Sequence, residues 1–306
     1  MGKAISSETE VAQGVELARP KVSLCIPAFQ AGRFLRATID SVLAQDFSDM
    51  EIVVVDNNST DETRLILDEI TDSRVRVITN RTTLPAEDNH NLAVKLSRGE
   101  FVKVISADDT LRRNCVAAQA AVLESNPDIA LVASRTDFID DAGALLFAAR
   151  GLRGILGRQT GEQVIRRIVR SAKNPVGAPV SVMFRRADFD RCGGFRGPSL
   201  FTLDMDLWTR LLRIGHFYGM PETLAAYRIQ GGSLTASISA RTQLAQQDSL
   251  TRRIVDDPYW RVPHVDRLVG KINRYDVLLK RTVLFKLSSL RAFRQRLRLG
   301  WRWHTN

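Results

Sequence analysis

The stretch Glu51-Ile52-Val53-Val54-Val55-Asp56 constrains this chain most. Four β-branched apolar residues in a row leave a strand no solvated face, so the segment must be covered on both sides, as inside a parallel sheet. Comparable runs flank it: Val22-Ser23-Leu24-Cys25-Ile26-Pro27, then residues 75–78, 101–106 and 129–133. Between them the apolar residues take helical spacing, first at Phe34, Ile39, Val42 and Leu43, then at Leu65, Leu67 and Ile70. Further helices are expected near 86–98 and 111–125, and Ser59 or Thr60 can cap the second helix. Strand and helix alternating through short links predict an α/β fold with a mostly parallel, doubly wound sheet. After Ala133 the pattern loosens. Strands are expected at 180–184 and 225–229, with an amphipathic helix at 204–214 between them.

Composition bounds the function classes. With 306 residues, 25% of them charged and 44% hydrophobic, the chain can bury a proper core. Its three cysteines, Cys25, Cys115 and Cys192, are scattered without metal-ligand spacing, which predicts reduced thiols in a cytoplasmic protein. No apolar run reaches membrane-span length, so any membrane contact is expected to be peripheral, on the inner face. The net charge of +10 is uneven: residues 266–306 hold eleven Lys/Arg against two Asp. The rest of the chain is therefore near neutral. In that tail Leu279, Val283, Leu287, Leu290, Phe293, Leu297 and Trp301 share one helical face, beside Arg291, Arg294, Arg298 and Arg302. Such a helix can lie in an anionic membrane interface, or pack on the enzyme or a second subunit. Nucleic acid is not an expected partner, because no aromatic-basic sheet motif accompanies the charge.

The acidic residues carry the chemistry. Asp108-Asp109 ends the strand at 101–106, where ligands bind in α/β sheets. Adjacent carboxylates repel unless a cation shares them, which points to a divalent metal. The alternative is one helix cap and one solvated Asp. Asp56, and Asp204 with Asp206, recur at similar hand-over points.

At these residues the sequence resembles the family 2 glycosyltransferases, an inverting group with the GT-A fold. The resemblance covers about residues 20–235 and rests on several motifs in order. They are Val22 to Phe29, Val55-Asp56-Asn57-Asn58-Ser59-Thr60-Asp61, Ser106-Ala107-Asp108-Asp109, Cys192-Gly193-Gly194-Phe195, Asp204 to Arg210, and Tyr227-Arg228 with Gly231-Gly232-Ser233. It implies a catalytic domain over 21–235, after a loose leader at 1–20 and before a basic helical extension at 236–306. It also implies a nucleotide-sugar donor, a UDP-sugar foremost, and a sugar or lipid-linked acceptor in cell-surface polysaccharide or glycolipid synthesis. Pro27 to Phe29, Asp56 and Asn57 would frame the base and ribose. Asp109 would ligate Mn²⁺ or Mg²⁺, with Asp108 nearer the ribose or a metal-bound water. Asp204 would be the general base, with Asp206 as runner-up.

Three departures from the family pattern bear on these roles. Asn57 stands where many members carry a second Asp, Gln30 replaces a common Asn, and Gln230 takes a position where members often have His. Gln295 to Leu299 only half-resembles the signature of processive members, so a single addition is expected. Trp208 reads as core, and Asn89-His90-Asn91 as either nucleotide-facing or a helix-start surface. Two other readings stand beside the transferase: a nucleotidyltransferase with a similar sheet, and a non-catalytic sugar-nucleotide binder.

Overall fold

The computed structural model describes residues 19–274, Pro198 excepted. The amphipathic tail face from Leu279 to Trp301 and nearly all of the expected leader lie outside the described residues. Strands β1 (Val22–Ala28), β2 (Met50–Asp56), β3 (Val75–Thr79) and β4 (Phe101–Val104) pair in parallel in the order β3-β2-β1-β4. Helices α1 (Leu35–Leu43), α2 (Thr63–Asp68), α3 (Ala86–Leu96) and α4 (Cys115–Ser125) alternate with them, with the short β5 (Thr110–Leu111) just before α4.

Period-two alternation divides these strands between two cores. Leu24, Ile26, Ile52 and Val54 pack with Leu35, Ile39 and Val42 of α1 and with Val116 and Leu123 of α4. Cys25, Val53 and Val55 face the other way, onto Ala93 and Val94 of α3. Both faces are therefore buried, as the run at 52–55 requires. Each fully buried Val, Leu or Ile contributes roughly 1.5–3 kcal/mol.

The second half of the sheet is built from β6 (Ile129–Ile139), β7 (Leu145–Arg150), β8 (Gly157–Gln159), β9 (Val182–Arg185) and β10 (His216–Arg228). Here β9 lies antiparallel between β4 and β6, β10 runs parallel to β6, and β5 pairs antiparallel with β10. The doubly wound parallel arrangement thus belongs to the first four strands, and the whole sheet is mixed. Between β6 and β7 a short link accounts for the change, since the turn from Asp140 to Ala144 can only join antiparallel strands. Strands β6 and β10 reach 11 and 13 residues and pair with each other well beyond the apolar runs.

Five further helices follow: α5 (Gly161–Ser171), α6 (Arg186–Cys192), α7 (Leu203–Leu211), α8 (Leu234–Ser237) and α9 (Ala240–Asp256). Helix α5 starts at a capping box of Thr160 and Gln163, which satisfies two backbone N–H groups reciprocally. Residues 264–274 are helical and dock on α5 through Asp266, which accepts from Arg166 and Arg170. One local expectation is corrected. Helix α2 has no side-chain cap from Ser59 or Thr60, because both hydroxyls are taken by Gln30 across the neighbouring loop.

Candidate functional site

Register fixes the location of the site. Ala28 pairs with Asp56 and Cys25 with Val104, so the chain beyond β1, β2 and β4 emerges along one carboxyl edge. Pro27 to Gln30, Asp56 to Asp61 and Ser106 to Asp109 meet there. Gln30 adopts a left-handed φ of 48° and ties two of these loops together. Its Nε2 donates to Thr60 Oγ1 (3.0 Å), and its Oε1 accepts from the N–H groups of Thr60 and Asp61 (both 3.2 Å). A shorter Asn could not span that distance while closing the same amide clasp, which gives the Gln30 substitution a structural reason. Pro27 is half-buried, and beside it Phe29 is 51% exposed, an unusual setting for a large apolar ring.

Asp56 is buried at the end of β2. One carboxylate oxygen accepts from the Ser59 N–H (3.1 Å), and the other has no partner. Asn57 beside it is fully committed inside the protein. Its Oδ1 accepts from Leu84 N and Asn80 Nδ2, and its Nδ2 donates to Leu84 O, each at 2.9 Å. The amide therefore shapes the loop between β3 and α3 before it could touch any ligand.

The acidic pair is assembled by β10. Pairing of Thr110 and Leu111 with Ala226 and Ala225 brings Arg228 and Gln230 back over Asp108 and Asp109. Asp109 is fully buried; its Oδ1 accepts from the Arg228 backbone N–H (2.9 Å), and its Oδ2 has no partner. Burial, and then the adjacent Asp108 charge, push the Asp109 carboxyl well above the usual carboxylate range. Asp108 is also raised by burial, partly offset by a 2.6 Å hydrogen bond from Gln230 Nε2 to its Oδ2. The Arg228 guanidinium donates to the carbonyls of Asp108 (2.9 Å) and Asp140 (2.7 Å) and stacks on Phe34, 4.7 Å from the ring centre. Sequence reading left Arg228 and Tyr227 as motif letters without roles; their spacing from the pair along the chain hid the contact.

Asp204 sits in the first turn of α7. Its Oδ1 accepts from Met205 N (2.7 Å) and its Oδ2 from Asn174 Nδ2 (2.9 Å). Asp206 is occupied differently: buried, it pairs with Arg210 at 2.8 Å and Arg253 at 2.9 Å. Tyr227 lies near the acidic groups, and its hydroxyl hydrogen-bonds with Thr235. Burial raises its hydroxyl pKa first, followed by the charges of Asp109, Asp108 and Asp204, so all three carboxylates act on one phenol.

Other polar candidates turn inward. Asn91 clamps Phe195 through both its N–H (2.8 Å) and its carbonyl (2.7 Å), and His90 meets Phe195 edge-on. Asn89 bonds Asn80, while Trp208 is fully buried with its indole N–H on Gly177 O. A cavity of about 700 Å³ between α3 and α6 touches the acidic edge only through Leu84, and we assign the chemistry to the edge on its carboxylates.

The donors at the edge suit a hard cation. Among the described residues no cluster of three or more His, Cys, Asp or Glu side chains forms, so the protein's share of any metal shell would be Asp109 and Asp108. Two adjacent carboxylates, one with a buried oxygen lacking any partner, are oxygen ligands of the kind Mg²⁺ and Mn²⁺ take.

An acidic turn at the carboxyl edge of a parallel half-sheet, completed by a returning strand, puts the carboxylates where α/β proteins bind their ligands. The profile of glycosyl transferase family 2 matches residues 23–193, more than half of the chain, and the chain belongs to that family. An uncharacterized Mycobacterium tuberculosis protein, MT1568, is 30% identical over 79% of this chain and 78% of its own length. The Escherichia coli UDP-Glc:alpha-D-GlcNAc-diphosphoundecaprenol beta-1,3-glucosyltransferase WfgD is 32% identical over 34% of this chain and 42% of its own. Among solved structures, residues 1-349 of S. aureus TarS in complex with UDP-GlcNAc superpose with a TM-score of 0.59 at 18% identity, covering 78% of this chain and 67% of that one. That likeness is one of fold, and the fold is the GT-A fold expected from the sequence.

Proposed function

We propose that this chain transfers a sugar from a nucleotide-diphosphate donor, a UDP-sugar, to an acceptor hydroxyl with inversion at the anomeric carbon. The observation that carries the reading is Asp109: a buried carboxylate beside a second one, with an oxygen left without a partner. A divalent cation held there by Asp109 and Asp108 would neutralise charge gathering on the departing diphosphate.

The chain's own residues supply the rest. Asp56, with its unpartnered oxygen, accepts from a base N–H or ribose hydroxyl, and Pro27 with the exposed Phe29 lines the base. Asn57 contributes by holding Leu84 and the loop around it. Asn174 and the Met205 N–H orient the Asp204 carboxylate, which takes the acceptor proton as the oxygen attacks from the face opposite the diphosphate. Asp206 is neutralised by two arginines, which favours Asp204 as base. The name of the E. coli relative specifies a diphosphoundecaprenol-linked acceptor, which supports a lipid-linked acceptor here and a role in surface polysaccharide or glycolipid assembly. The basic tail fits the same reading as a peripheral anchor on the inner membrane face.

The test is donor binding and transfer in Mn²⁺ with wild type, Asp109→Ala and Asp204→Asn. Asp109→Ala should lose metal-dependent donor binding. Asp204→Asn should bind donor normally while kcat falls about 10²–10⁴-fold, the span of a general base. Full activity in both variants overturns the proposal.

A further inference from the structure

Away from the acidic edge, helix α5 carries a second charged site. Its Val164, Ile165, Ile168 and Val169 are buried in the core, which leaves Arg166, Arg167 and Arg170 on the outward side. These arginines, with Gly154, Gln163 and Asp266, line a cavity of about 280 Å³. At roughly 30 Å³ of liquid volume per water, that is room for a tetrahedral oxyanion or two linked ones together with solvent.

The charges in this cavity do not balance. Asp266 is the one carboxylate lining it, and both its oxygens are taken, Oδ2 by Arg166 Nε (2.7 Å) and Oδ1 by Arg170 Nη1 (3.0 Å). Glu162 acts on Arg166 as a weaker charge contact. Arg167 has no hydrogen bond, ion pair or ring contact among the described residues, and its Nε is buried without an acceptor. A buried donor of a charged group left unmade costs about 1–3 kcal/mol or more, so an acceptor is missing here. Gly154 keeps the space open. Its φ is +80°, and a Cβ at that position would lie 3.4 Å from both Cζ and Nε of Arg167. The Gln163 carbonyl closes the capping box, while its amide NH₂ has no protein acceptor among the described residues and completes the donor set.

We infer that Arg166, Arg167 and Arg170 of α5 form a binding site for a phosphate-class oxyanion, with Arg167 as its principal ligand. Guanidinium forks match the paired oxygens of phosphate, and Arg166 and Arg170 are already oriented by Asp266. The chain from α5 runs on to Asn174, the partner of Asp204, so an anion here sits on the element that leads into the proposed base. The site itself stands independently of the reading given to the acidic edge.

Calorimetric titration of the full chain with inorganic pyrophosphate in EDTA tests it, since chelation removes any cation-mediated binding at Asp108 and Asp109. Wild type should bind one equivalent, Arg167→Gln should bind at least tenfold more weakly, and Arg167→Lys should fall between. Asp109→Asn should match wild type. Because Arg167 has no partner to lose, its variants should melt no lower than wild type, and circular dichroism checks this. Cosedimentation with phosphatidic acid and with phosphatidylcholine vesicles identifies the source. Binding to the former that Arg167→Gln weakens and pyrophosphate displaces assigns the oxyanion to a lipid headgroup. Pyrophosphate binding with equal vesicle binding by both proteins assigns it to a soluble phosphate. Absence of pyrophosphate binding, or equal affinity in Arg167→Gln, overturns the proposal.

Discussion

The two ends of the same three strands treat buried carboxylates in opposite ways. At the amino end of β2, Glu51 is buried, yet its Oε1 accepts from Ser23 Oγ (2.7 Å) and the Arg98 N–H, and its Oε2 from Arg98 Nε (3.3 Å). Ser23 Oγ in turn accepts from Gly99 N (2.7 Å). At the carboxyl end, Asp56 and Asp109 each keep one buried oxygen with no partner. Burial alone therefore does not mark function. Lys103 in β4 makes the same point, since its ammonium is fully buried but donates to Gln119 Oε1 (2.9 Å) and Val182 O (3.3 Å). What sets the carboxyl edge apart is that the unused capacity belongs to carboxylates, at Asp56 and Asp109, which a fold tolerates where a ligand completes them.

The sharpest way to break this comparison is to remove one carboxylate from each end. Asp109→Asn removes a charge that burial and Asp108 already disfavour, so its Tm should hold or rise while transfer activity falls about 10³-fold or more, some 4 kcal/mol of barrier. Glu51→Ala strands Ser23, Arg98 and their backbone neighbours. It should cost about 3 kcal/mol, a Tm drop of about 5 °C for a chain of this size, while kcat of the folded fraction stays within about twofold. Paired melting curves and initial rates check both. If Asp109→Asn melts as low as Glu51→Ala, the two ends do not differ as described.

A smaller effect is expected at Arg228, where function and structure overlap. Its backbone N–H fixes Asp109, and its guanidinium ties the Asp108 carbonyl to Asp140 on the β6–β7 turn. Arg228→Met keeps the bulk against Phe34 and loses only the side-chain bonds. It should lower stability by about 1–3 kcal/mol and weaken Mn²⁺ binding about tenfold, with Arg228→Lys between. Mn²⁺ titration alongside melting reads both. Weakened melting with unchanged Mn²⁺ affinity would make Arg228 a structural strut and no more.

The same contrast explains how much the sequence disclosed. The apolar run at 52–55 and the Asp108-Asp109 pair were legible because their signals are local, a missing polar face and adjacent like charges. The capping box at Thr160 and Gln163 is equally local, yet it opens α5 inside a stretch whose strand–helix alternation has loosened. Strands β6 and β10 run beyond their apolar stretches because their outer residues pair with each other and with β7 and β5, and no period within either strand records that. Asp204 and Asp206 look alike in sequence. The Asp206–Arg210 pair is a helical i,i+4 spacing open to reading, whereas Arg253 arrives from α9 and could not be foreseen. Gln30 clasping Thr60 and Gln230 meeting Asp108 are likewise long-range, so their departures from the family pattern gained meaning only in three dimensions.

The mildest expected effect extends the contrast to the chain's periphery. Asp266 is a satisfied carboxylate like Glu51, its side chain 3% exposed and held by Arg166 and Arg170, which are themselves about half-exposed. Burial alone would raise its pKa, but the hydrogen bonds from the two arginines outweigh that and hold it below the ordinary value. A carboxyl with a lowered folded-state pKa stabilises above its unfolded value, near about 3.9, and loses that contribution as pH falls through the folded value. Asp266→Asn should therefore lower Tm at pH 7 by only about 1–2 °C, because solvent screens the exposed guanidiniums. The gap to wild type should narrow steadily below about pH 4, as wild-type Asp266 takes up its proton. Melting curves of the two proteins from pH 7 to pH 3 measure it. A gap that stays constant across that range would mean that packing of residues 264–274 on α5, and not the ion pairs, holds this helix in place.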